Sequence, residues 1–184
     1  YQNHISCPDF DAVGLSFPGC PGFPHFGHNA SVAWCVTHAS ADYQDLYVER
    51  FQEDSPSLYE YQGELKQVEV RHEVIEVRGG EPVELDVTVT HHGPVIVGDP
   101  AEGHGVAFKY TATAGPNVGL QPLRRMLDAS SADEMDEAMR DWTDPSNNFM
   151  FIDVQGAVRY LNRGKLPVRS MANAWLPVPG WTGE

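Results

Sequence analysis

The sequence predicts an α+β fold in which antiparallel strands dominate and a short helical insertion interrupts them. Three observations support this prediction. A clear β-hairpin spans residues 67–90, two helical patterns follow between residues 118 and 142, and a second hairpin spans residues 149–161. Strands that follow one another directly favour antiparallel pairing, whereas a parallel α/β fold would alternate strands with helices throughout.

Composition places the chain among ordinary folded domains. It has 184 residues, of which 41% are hydrophobic and 21% charged, so we assign residues 1–184 to a single packed domain. The formal net charge of −14 makes nucleic acid a poor partner, because phosphate binding requires clustered Lys and Arg. The same acidity is compatible with divalent cations. The longest apolar runs are too short for a membrane span.

The strands are predicted from their side-chain periodicity. Residues 31–37 are rich in Val and Trp and are bounded by turn residues, so we expect a fully buried strand. In the hairpin at residues 67–90, apolar and polar residues alternate from Val83 to Val89, which is typical of a half-buried strand. Gly79-Gly80 supplies its turn. A short strand follows at residues 106–110.

Two helices are predicted next. The first spans residues 118–129, with Pro122 in its opening turn. The second starts at Ser131, and Glu134 three residues later completes a capping box. Its apolar stripe consists of Met135, Ala138, Met139 and Trp142.

The last predicted hairpin pairs residues 149–153 with residues 158–161 around a turn at 154–156, and two amides, Asn147 and Asn148, lead into it. A buried amide without a partner costs about 1–3 kcal/mol, so one of the two must be bonded or used. Amide N–H groups serve as oxyanion donors when they face developing charge. An Asn that caps the strand is the alternative.

Two polar clusters are candidates for metal binding. Asp42, Asp45 and the carbonyl of Gln44 follow the strand at residues 31–37, and such oxygen ligands suit calcium. The alternative is a solvated acidic loop. His25 and His28 have the spacing of a helical metal motif, but the loop sequence around them disfavours that role.

An ordered set of short motifs runs through nearly the whole chain. In order, they are Ser16-Phe17-Pro18-Gly19, Pro21-Gly22, Gly27-His28-Asn29, Ala33-Trp34, Thr37, Asp42, Gln44-Asp45-Leu46-Tyr47, His92-Gly93-Pro94-Val95, Asn148-Phe149, Asp153, Gly156, Gly164, Leu166-Pro167-Val168-Arg169 and Leu176-Pro177-Val178-Pro179-Gly180-Trp181. No single motif is specific, but as a set they resemble the penicillin acylase family of N-terminal nucleophile hydrolases. The resemblance implies that the chain is an internal part of a large chain in a four-layer αββα sandwich.

The resemblance also implies a mechanism. These enzymes are precursors that cut themselves, and a Ser at the new N-terminus attacks an amide carbonyl with its own α-amine as base. A backbone N–H and an Asn side chain bind the oxyanion. By similarity, the N–H belongs to His38 and the side chain to Asn148. Arg169 matches an Arg that supports the site.

The remaining implied roles concern binding. Phe26 matches a position that lines the acyl pocket, and its neighbour His25 is a second candidate for substrate binding. Asp42, Gln44 and Asp45 match a calcium site, which would fix the loop after His38. Family members often carry a small residue at the His38 position, so the His affects the expected substrate preference.

The expected substrate is a small N-acyl amide, such as a penicillin. The nucleophile segment would lie upstream of residue 1, so we expect this chain to be inactive without the rest of the large chain and the small chain. The resemblance implies a periplasmic or secreted protein. The alternative function is a non-catalytic, β-rich module that binds calcium or a protein partner.

Overall fold

The computed structural model describes residues 1–19, 23–117, 119, 121–170 and 175–183. The chain forms two compact units. Unit 1 comprises residues 1–43 and 115–166, and unit 2 comprises residues 44–114 and 167–184. The assignment of residues 1–184 to one domain stays a prediction. In the described part of the chain, no helix is long and apolar enough to span a membrane.

Strands greatly outnumber helices, as the sequence predicts. In chain order the described elements are β1 (Gln2–Ser6), β2 (Asp11–Leu15), β3 (Phe26–His28), β4 (Val32–His38), β5 (Gln44–Gln52), β6 (Ser55–Tyr61), β7 (Glu64–Gln67), β8 (Glu69–Ile75), β9 (Val83–Thr90), β10 (Gly93–Asp99), a short 3-10 helix (Pro100–Glu102), β11 (His104–Tyr110), α1 (Gln121–Asp128), α2 (Ala132–Ala138), β12 (Asn147–Asp153), β13 (Val158–Arg163) and β14 (Val178–Pro179). The predicted start of the first helix at Val118 lies outside the described residues, as does the Pro21-Gly22 motif.

Unit 1 is a six-stranded sheet with two helices packed on one face. The strand order is β1-β2-β3-β4-β12-β13, and every neighbouring pair is antiparallel. One buried cluster joins the helices to the sheet, and it includes Trp34, Leu123, Met135, Phe149 and Phe151. The predicted antiparallel α+β class is therefore confirmed for this unit.

The other face of this sheet is not covered in unit 1. Val32, Trp34 and Val36 of β4 are buried, but Ala33 and Cys35 between them are only half-buried. The prediction of a fully buried strand at residues 31–37 is therefore wrong, because only one side of β4 meets the helices. We call the opposite side the open face. It carries the exposed apolar side chains Val13, Leu15, Met150, Ile152, Val158 and Tyr160.

Two polar side chains fix the helices of unit 1. The amide of Asn29 accepts the N–H of Val32 at 2.8 Å and donates to the carbonyl of Ala129 at 2.7 Å, which satisfies a backbone acceptor just beyond α1. Helix α2 has the predicted N-cap, because the Ser131 hydroxyl accepts the N–H of Glu134. The Glu134 carboxylate turns back to the N–H of Ser130 and not to that of Ser131, so the box is shifted by one residue.

Unit 2 is built on an eight-stranded sheet. The order is β7-β6-β5-β11-β10-β9-β8, and β14 adds to β5 in parallel. The predicted hairpin is confirmed as β8 and β9, with Glu69 opposite Val89 and Ile75 opposite Val83. The expected burial of one face of the hairpin is wrong for all of β8 and for the first half of β9, whose residues are all exposed, including Ile75 at 53% and Val83 at 50%.

A buried polar cluster holds the middle of unit 2 together. Oε1 of Glu49 accepts the Thr90 hydroxyl at 2.6 Å and lies 2.9 Å from Nδ1 of His92. The His92 ring stacks on Tyr47 with 3.8 Å between ring centroids. These contacts give His92, which follows the end of β9, a structural role in unit 2.

Candidate functional site

The two predicted oxyanion donors lie on neighbouring strands. Strand β4 pairs with β12 so that His38 stands opposite Asn147, and Thr37 stands opposite Asn148. The segments are about 110 residues apart in the chain, and the sheet register alone brings them together. Both donors belong to unit 1.

The register also decides where the N–H of His38 points. Antiparallel partners alternate between hydrogen-bonded and non-hydrogen-bonded pairs. Because the N–H of Ala39 donates to the carbonyl of Ser146 at 2.9 Å, the preceding pair, His38 and Asn147, is non-hydrogen-bonded. The His38 N–H therefore faces away from β12, toward the side of β4 on which β3 lies. Because β3 begins only at Phe26, which is level with Cys35, it does not extend as far as His38.

This geometry corrects one detail of the sequence analysis. Strand β4 does not end before His38 but includes it as the last strand residue. The backbone donor is released from the sheet ladder by the alternation of the register and by the short length of β3, and not by a break in the strand.

The Asn148 carboxamide lies over the end of β4. Its Nδ2 is 3.3 Å from the Thr37 hydroxyl and 3.4 Å from the carbonyl oxygen of His38. Its Oδ1 accepts the Tyr160 hydroxyl at 2.7 Å and the Nδ2 of Asn162 at 3.2 Å. The amide nitrogen of Asn148 is thus the atom held next to His38, and its contacts there are long enough to be exchanged for a better acceptor.

The imidazole of His38 is turned to the loop that follows it. Its Nδ1 accepts the N–H of Ser40 at 3.0 Å, and its Nε2 lies 3.2 Å from the Tyr43 hydroxyl. The first bond makes Nδ1 an acceptor, so the ring that satisfies both contacts is neutral and carries its proton on Nε2. The side chain therefore has partners of its own, separate from the backbone donor.

Phe26 lines a cavity on the open face of unit 1. The cavity has a volume of about 750 Å³, and the β1–β3 strands supply its walls, including Val13, Leu15 and Phe26. The pairing of Gly27 with Trp34 puts Phe26 level with Cys35, three residues before His38 on β4. A cleft of this size with apolar side chains in its wall can accommodate an acyl group.

His25 has a different position from its neighbour Phe26. Its side chain is buried, its ring packs on Phe17 at 5.0 Å, and its Nδ1 has no hydrogen-bond partner in the described residues. Burial lowers the pKa of His25 below its usual value, which favours the neutral ring. His25 is not among the residues that line the cavity, so the structure does not place it at the proposed substrate pocket.

The predicted calcium ligands lie where the chain passes between the units. Asp42 lies one residue before the end of the first segment of unit 1 and is exposed, whereas Gln44 and Asp45 begin β5 in unit 2. The Asp45 carboxylate accepts Nη1 of Arg169 at 2.6 Å, and both side chains are nearly buried. Arg169 is thus the charge partner of one predicted calcium ligand.

These residues do not form a complete calcium site. Calcium takes six to eight oxygen ligands. Among the residues that the structure describes, no group of three or more His, Cys, Asp and Glu side chains is placed to hold a metal ion. The Asp45 carboxylate is also compensated by Arg169. Further oxygen ligands would have to come from other parts of the protein.

Two polar residues that the sequence analysis did not single out contact Asn148 directly. They are Tyr160 and Asn162 on β13. Their period-two spacing in the predicted hairpin is the signal that could have found them, because it puts both on the same face as Asn148.

Known protein families and curated proteins include clear relatives of this chain. The sequence profile of the family described as penicillin amidase matches residues 1–184. The chain is 44% identical over 183 residues to penicillin acylase 2 proenzyme of Pseudomonas sp. strain SE83, covering 100% of this chain and 24% of that protein. It is 30% identical over 184 residues to acyl-homoserine lactone acylase QuiP of Pseudomonas fluorescens strain Pf0-1, covering 98% of this chain and 22% of that protein.

A solved structure shows the same fold. The thermostable penicillin G acylase from Alcaligenes faecalis matches with a TM-score of 0.85 and 26% sequence identity, over 100% of this chain and 33% of that chain. The chain therefore spans about a quarter of the length of the curated relatives and a third of the solved chain. From its profile, its relatives and its fold, the chain belongs to the penicillin amidase family of N-terminal nucleophile hydrolases.

Proposed function

We propose that the protein containing this chain hydrolyses linear amides through an acyl-enzyme, and that His38 and Asn148 bind the oxyanion. The observation that carries the proposal is the pairing of β4 with β12. It sets a backbone N–H that faces away from the ladder beside a carboxamide nitrogen with replaceable contacts. Family membership supplies the reaction class, because the relatives named above are acylases.

In the proposed reaction, the hydroxyl of an N-terminal Ser outside residues 1–184 adds to the amide carbonyl carbon. Its proton passes to the α-amine of the same Ser and then to the leaving nitrogen as the C–N bond breaks. Water hydrolyses the resulting ester and restores the Ser. In both steps negative charge collects on the carbonyl oxygen, where the His38 N–H and the Asn148 Nδ2 donate. One such donor contributes about 3–4 kcal/mol to lowering the barrier.

The proposed substrates are N-acyl amides whose acyl group is apolar. Support comes from the cavity at Phe26, where Val13, Leu15 and Phe26 present apolar side chains; the polar part of its lining is Gln2, Asn3, His4 and His28. Relatives are named for penicillin and for acyl-homoserine lactones, which share an acyl group on an amide nitrogen. We therefore propose both as candidates, with the acyl group in the Phe26 cavity.

We also propose that Asp42, Asp45 and the carbonyl of Gln44 contribute to a structural calcium site in the whole protein. The proposal rests on the family resemblance and on the oxygen chemistry of the three donors. Because these residues do not complete a calcium shell, the proposal requires further oxygen ligands. Within this chain, Arg169 holds the Asp45 carboxylate in place.

The open face supports the proposal that further chain segments of a processed precursor cover unit 1. Ile152 and Val158 on this face are 50% and 62% exposed. Contiguous exposed apolar side chains of this kind mark an interaction surface. The proposed cover is the rest of the large chain and the small chain, in a periplasmic or secreted protein. Mass spectrometry of the mature protein should then show two chains that arise from one precursor.

The test of the hydrolase function uses the whole protein and an N-acyl nitroanilide that releases a coloured amine. The substitution Asn148→Ala should lower kcat by about 100- to 1000-fold with little change in KM, because the donor acts on the transition state. Gln155→Ala is the control, since it removes a carboxamide from the exposed β12–β13 turn, and it should leave kcat unchanged.

The outcomes separate the two parts of the proposal. If the wild-type protein hydrolyses amides and Asn148→Ala does so equally fast, the oxyanion assignment is wrong. If the wild-type protein hydrolyses neither acylated anilides, penicillins nor acyl-homoserine lactones, the enzymatic function is wrong, and the alternative of a non-catalytic binding module takes its place.

A further inference from the structure

The carboxamide of Asn148 is oriented by its neighbours on β13. Asn148 stands directly opposite Asn162, and Tyr160 is the diagonal neighbour on the same face. Diagonal neighbours in an antiparallel pair are within reach of an aromatic side chain. The Tyr160 hydroxyl donates to Asn148 Oδ1 at 2.7 Å, and Asn162 Nδ2 donates to the same oxygen at 3.2 Å.

These two bonds fill the acceptor capacity of one amide oxygen. A carbonyl oxygen has two lone pairs, and here each one receives a donor. The hydroxyl of the buried Ser146 lies 3.4 Å from Asn162 Oδ1 and is placed to donate to it. With this direction of hydrogen bonding, Ser146 donates to Asn162 and Asn162 donates to Asn148. The last donor in the series is the Asn148 N–H₂ group.

The orientation matters because the two ends of a carboxamide have opposite polarity. If the Asn148 carboxamide rotated by half a turn, its oxygen would replace its nitrogen beside the His38 N–H. That oxygen would then repel the oxyanion. A rotation would also bring N–H₂ against the Asn162 N–H₂, which leaves two donors facing each other. Preorganised donors stabilise a transition state because they need no reorganisation during the reaction.

We propose that Tyr160 is a positioning residue that holds the Asn148 carboxamide with its nitrogen toward the oxyanion. This inference rests on the proposed function of Asn148. Tyr160 is the stronger of the two β13 donors by distance, and its bond to the amide oxygen also polarises the amide so that the N–H₂ group becomes a better donor. Tyr160 does not touch the substrate in this scheme and acts only through Asn148.

The test compares Tyr160→Phe with Tyr1→Phe in the whole protein. The two tyrosines are similarly exposed in this chain, at 64% and 60%, so each variant removes one hydroxyl from a comparable side chain. Tyr160→Phe should lower kcat by roughly 5- to 10-fold, the effect of one lost hydrogen bond, with KM nearly unchanged. Tyr1→Phe should change neither. The variant Asn162→Asp, which replaces a donor to Asn148 by an acceptor, should lower kcat further.

A double-mutant cycle separates positioning from a general structural effect. In the Asn148→Ala background, adding Tyr160→Phe should not lower kcat again, because its target is gone. A further decrease of 5-fold or more in that background, or an unchanged kcat for Tyr160→Phe alone, overturns the inference.

The failure of this inference is distinguishable from failure of the proposed function. If Asn148→Ala lowers kcat but Tyr160→Phe does not, only the positioning role is wrong. If Asn148→Ala has no effect on kcat, the oxyanion assignment and the positioning role are both wrong.

Discussion

The His92 ring is held against Glu49 in the interior of unit 2, with Nδ1 2.9 Å from Oε1 and side-chain exposures of 6% and 0%. The Thr90 hydroxyl is the second donor to that oxygen. The family motif that begins at His92 therefore includes a structural hydrogen bond that joins the end of β9 to the central strand β5. A buried carboxylate that loses a partner retains its desolvation cost, so this contact should be sensitive to substitution.

The substitution His92→Phe should destabilise unit 2. Phe keeps an aromatic ring for stacking on Tyr47 but removes the nitrogen that contacts Glu49. We expect a loss of about 1.5–3 kcal/mol, the usual range for a hydrogen bond to a charged group. Hydrogen exchange of the β5 amides in the whole protein measures it.

His72→Phe is the matched control for this prediction. His72 also lies 2.9 Å from a carboxylate, that of Asp86, but the side chains are 58% and 68% exposed. An exposed pair contributes only about 0–1 kcal/mol. Equal effects of the two substitutions would show that burial does not govern the strength of the contact.

Gly180→Ala should also destabilise unit 2, through the same carboxylate. A Cβ at Gly180 would lie 2.3 Å from Oε2 of Glu49 and 2.9 Å from the carbonyl oxygen of Val48. Overpacking of this kind costs about 1–3 kcal/mol. Gly115→Ala is the control, because a Cβ there meets no atom of the described residues within 4 Å. A lower thermal midpoint for Gly180→Ala alone is the expected result, and a midpoint equal to that of the wild type contradicts it.

Stability should decrease as the pH falls through the range in which His91 titrates. The exposed His91 ring loses part of its solvent by packing against Tyr59 and Tyr61, and this desolvation, together with the neighbouring His92, lowers the pKa of His91 to about 4. The Tyr59 hydroxyl oxygen accepts the backbone N–H of His91. The hydroxyl proton of Tyr59 is therefore available to donate to Nδ1 of the neutral His91 ring. Other nearby groups are Glu49, which favours the charged form, and Lys66 and Lys109, which oppose it.

The sign of this effect follows from proton binding. In the unfolded chain His91 should titrate near its ordinary pKa of about 6.5, so between pH 6.5 and 4 the unfolded state binds more protons than the folded state. The contribution to stability is fully present above pH 6.5 and is lost as the pH falls toward 4. Urea denaturation of wild type and His91→Asn across this range measures it, and His91→Asn should show the flatter profile. Parallel profiles would contradict the prediction.

Removal of calcium should lower the thermal midpoint of the whole protein if Asp42 contributes a ligand. Asp42→Asn should bind less calcium, measured by calorimetry, and should respond less to a chelator, because it has lost one charged oxygen. Asp54→Asn, in the exposed turn after β5, is the control and should retain the wild-type calcium content. If chelation leaves the thermal midpoint unchanged, the calcium proposal is wrong. The Arg169–Asp45 pair is then sufficient to hold the Asp45 carboxylate without an ion.

Periodicity predicts the elements of this protein well but not which faces are covered. The hairpin β8–β9 and the N-cap at Ser131 follow from alternation and capping chemistry alone. The burial of residues 31–37 and of Val83 is predicted wrongly, because a pattern shows which side chains share a face and not whether another layer packs on it. In unit 1 the helices cover only one side of β4.

The candidate site, like the fold, could be predicted only in part from the sequence. Asn148 and His38 can be proposed from the ordered motifs, but the direction of the His38 N–H depends on the register with β12, which the sequence does not provide. Glu49 was missed even though a signal was present. Glu49 lies midway between Tyr47 and Phe51, so the period of two puts all three side chains on the same face of β5. A carboxylate on this apolar face requires a partner.

The pairing of β4 with β12 has a consequence for biosynthesis. The two strands are central neighbours in their sheet, yet about 110 residues separate Asn148 from His38, and residues 44–114 between them belong to unit 2. At about 5–20 residues per second, a ribosome needs roughly 5–20 s to deliver β12 after β4. Throughout that interval the newly made β4, with its Val, Trp and Cys side chains, presents a bare strand edge. Until β12 is available, the edge of β4 is therefore open to incorrect pairing with other strands.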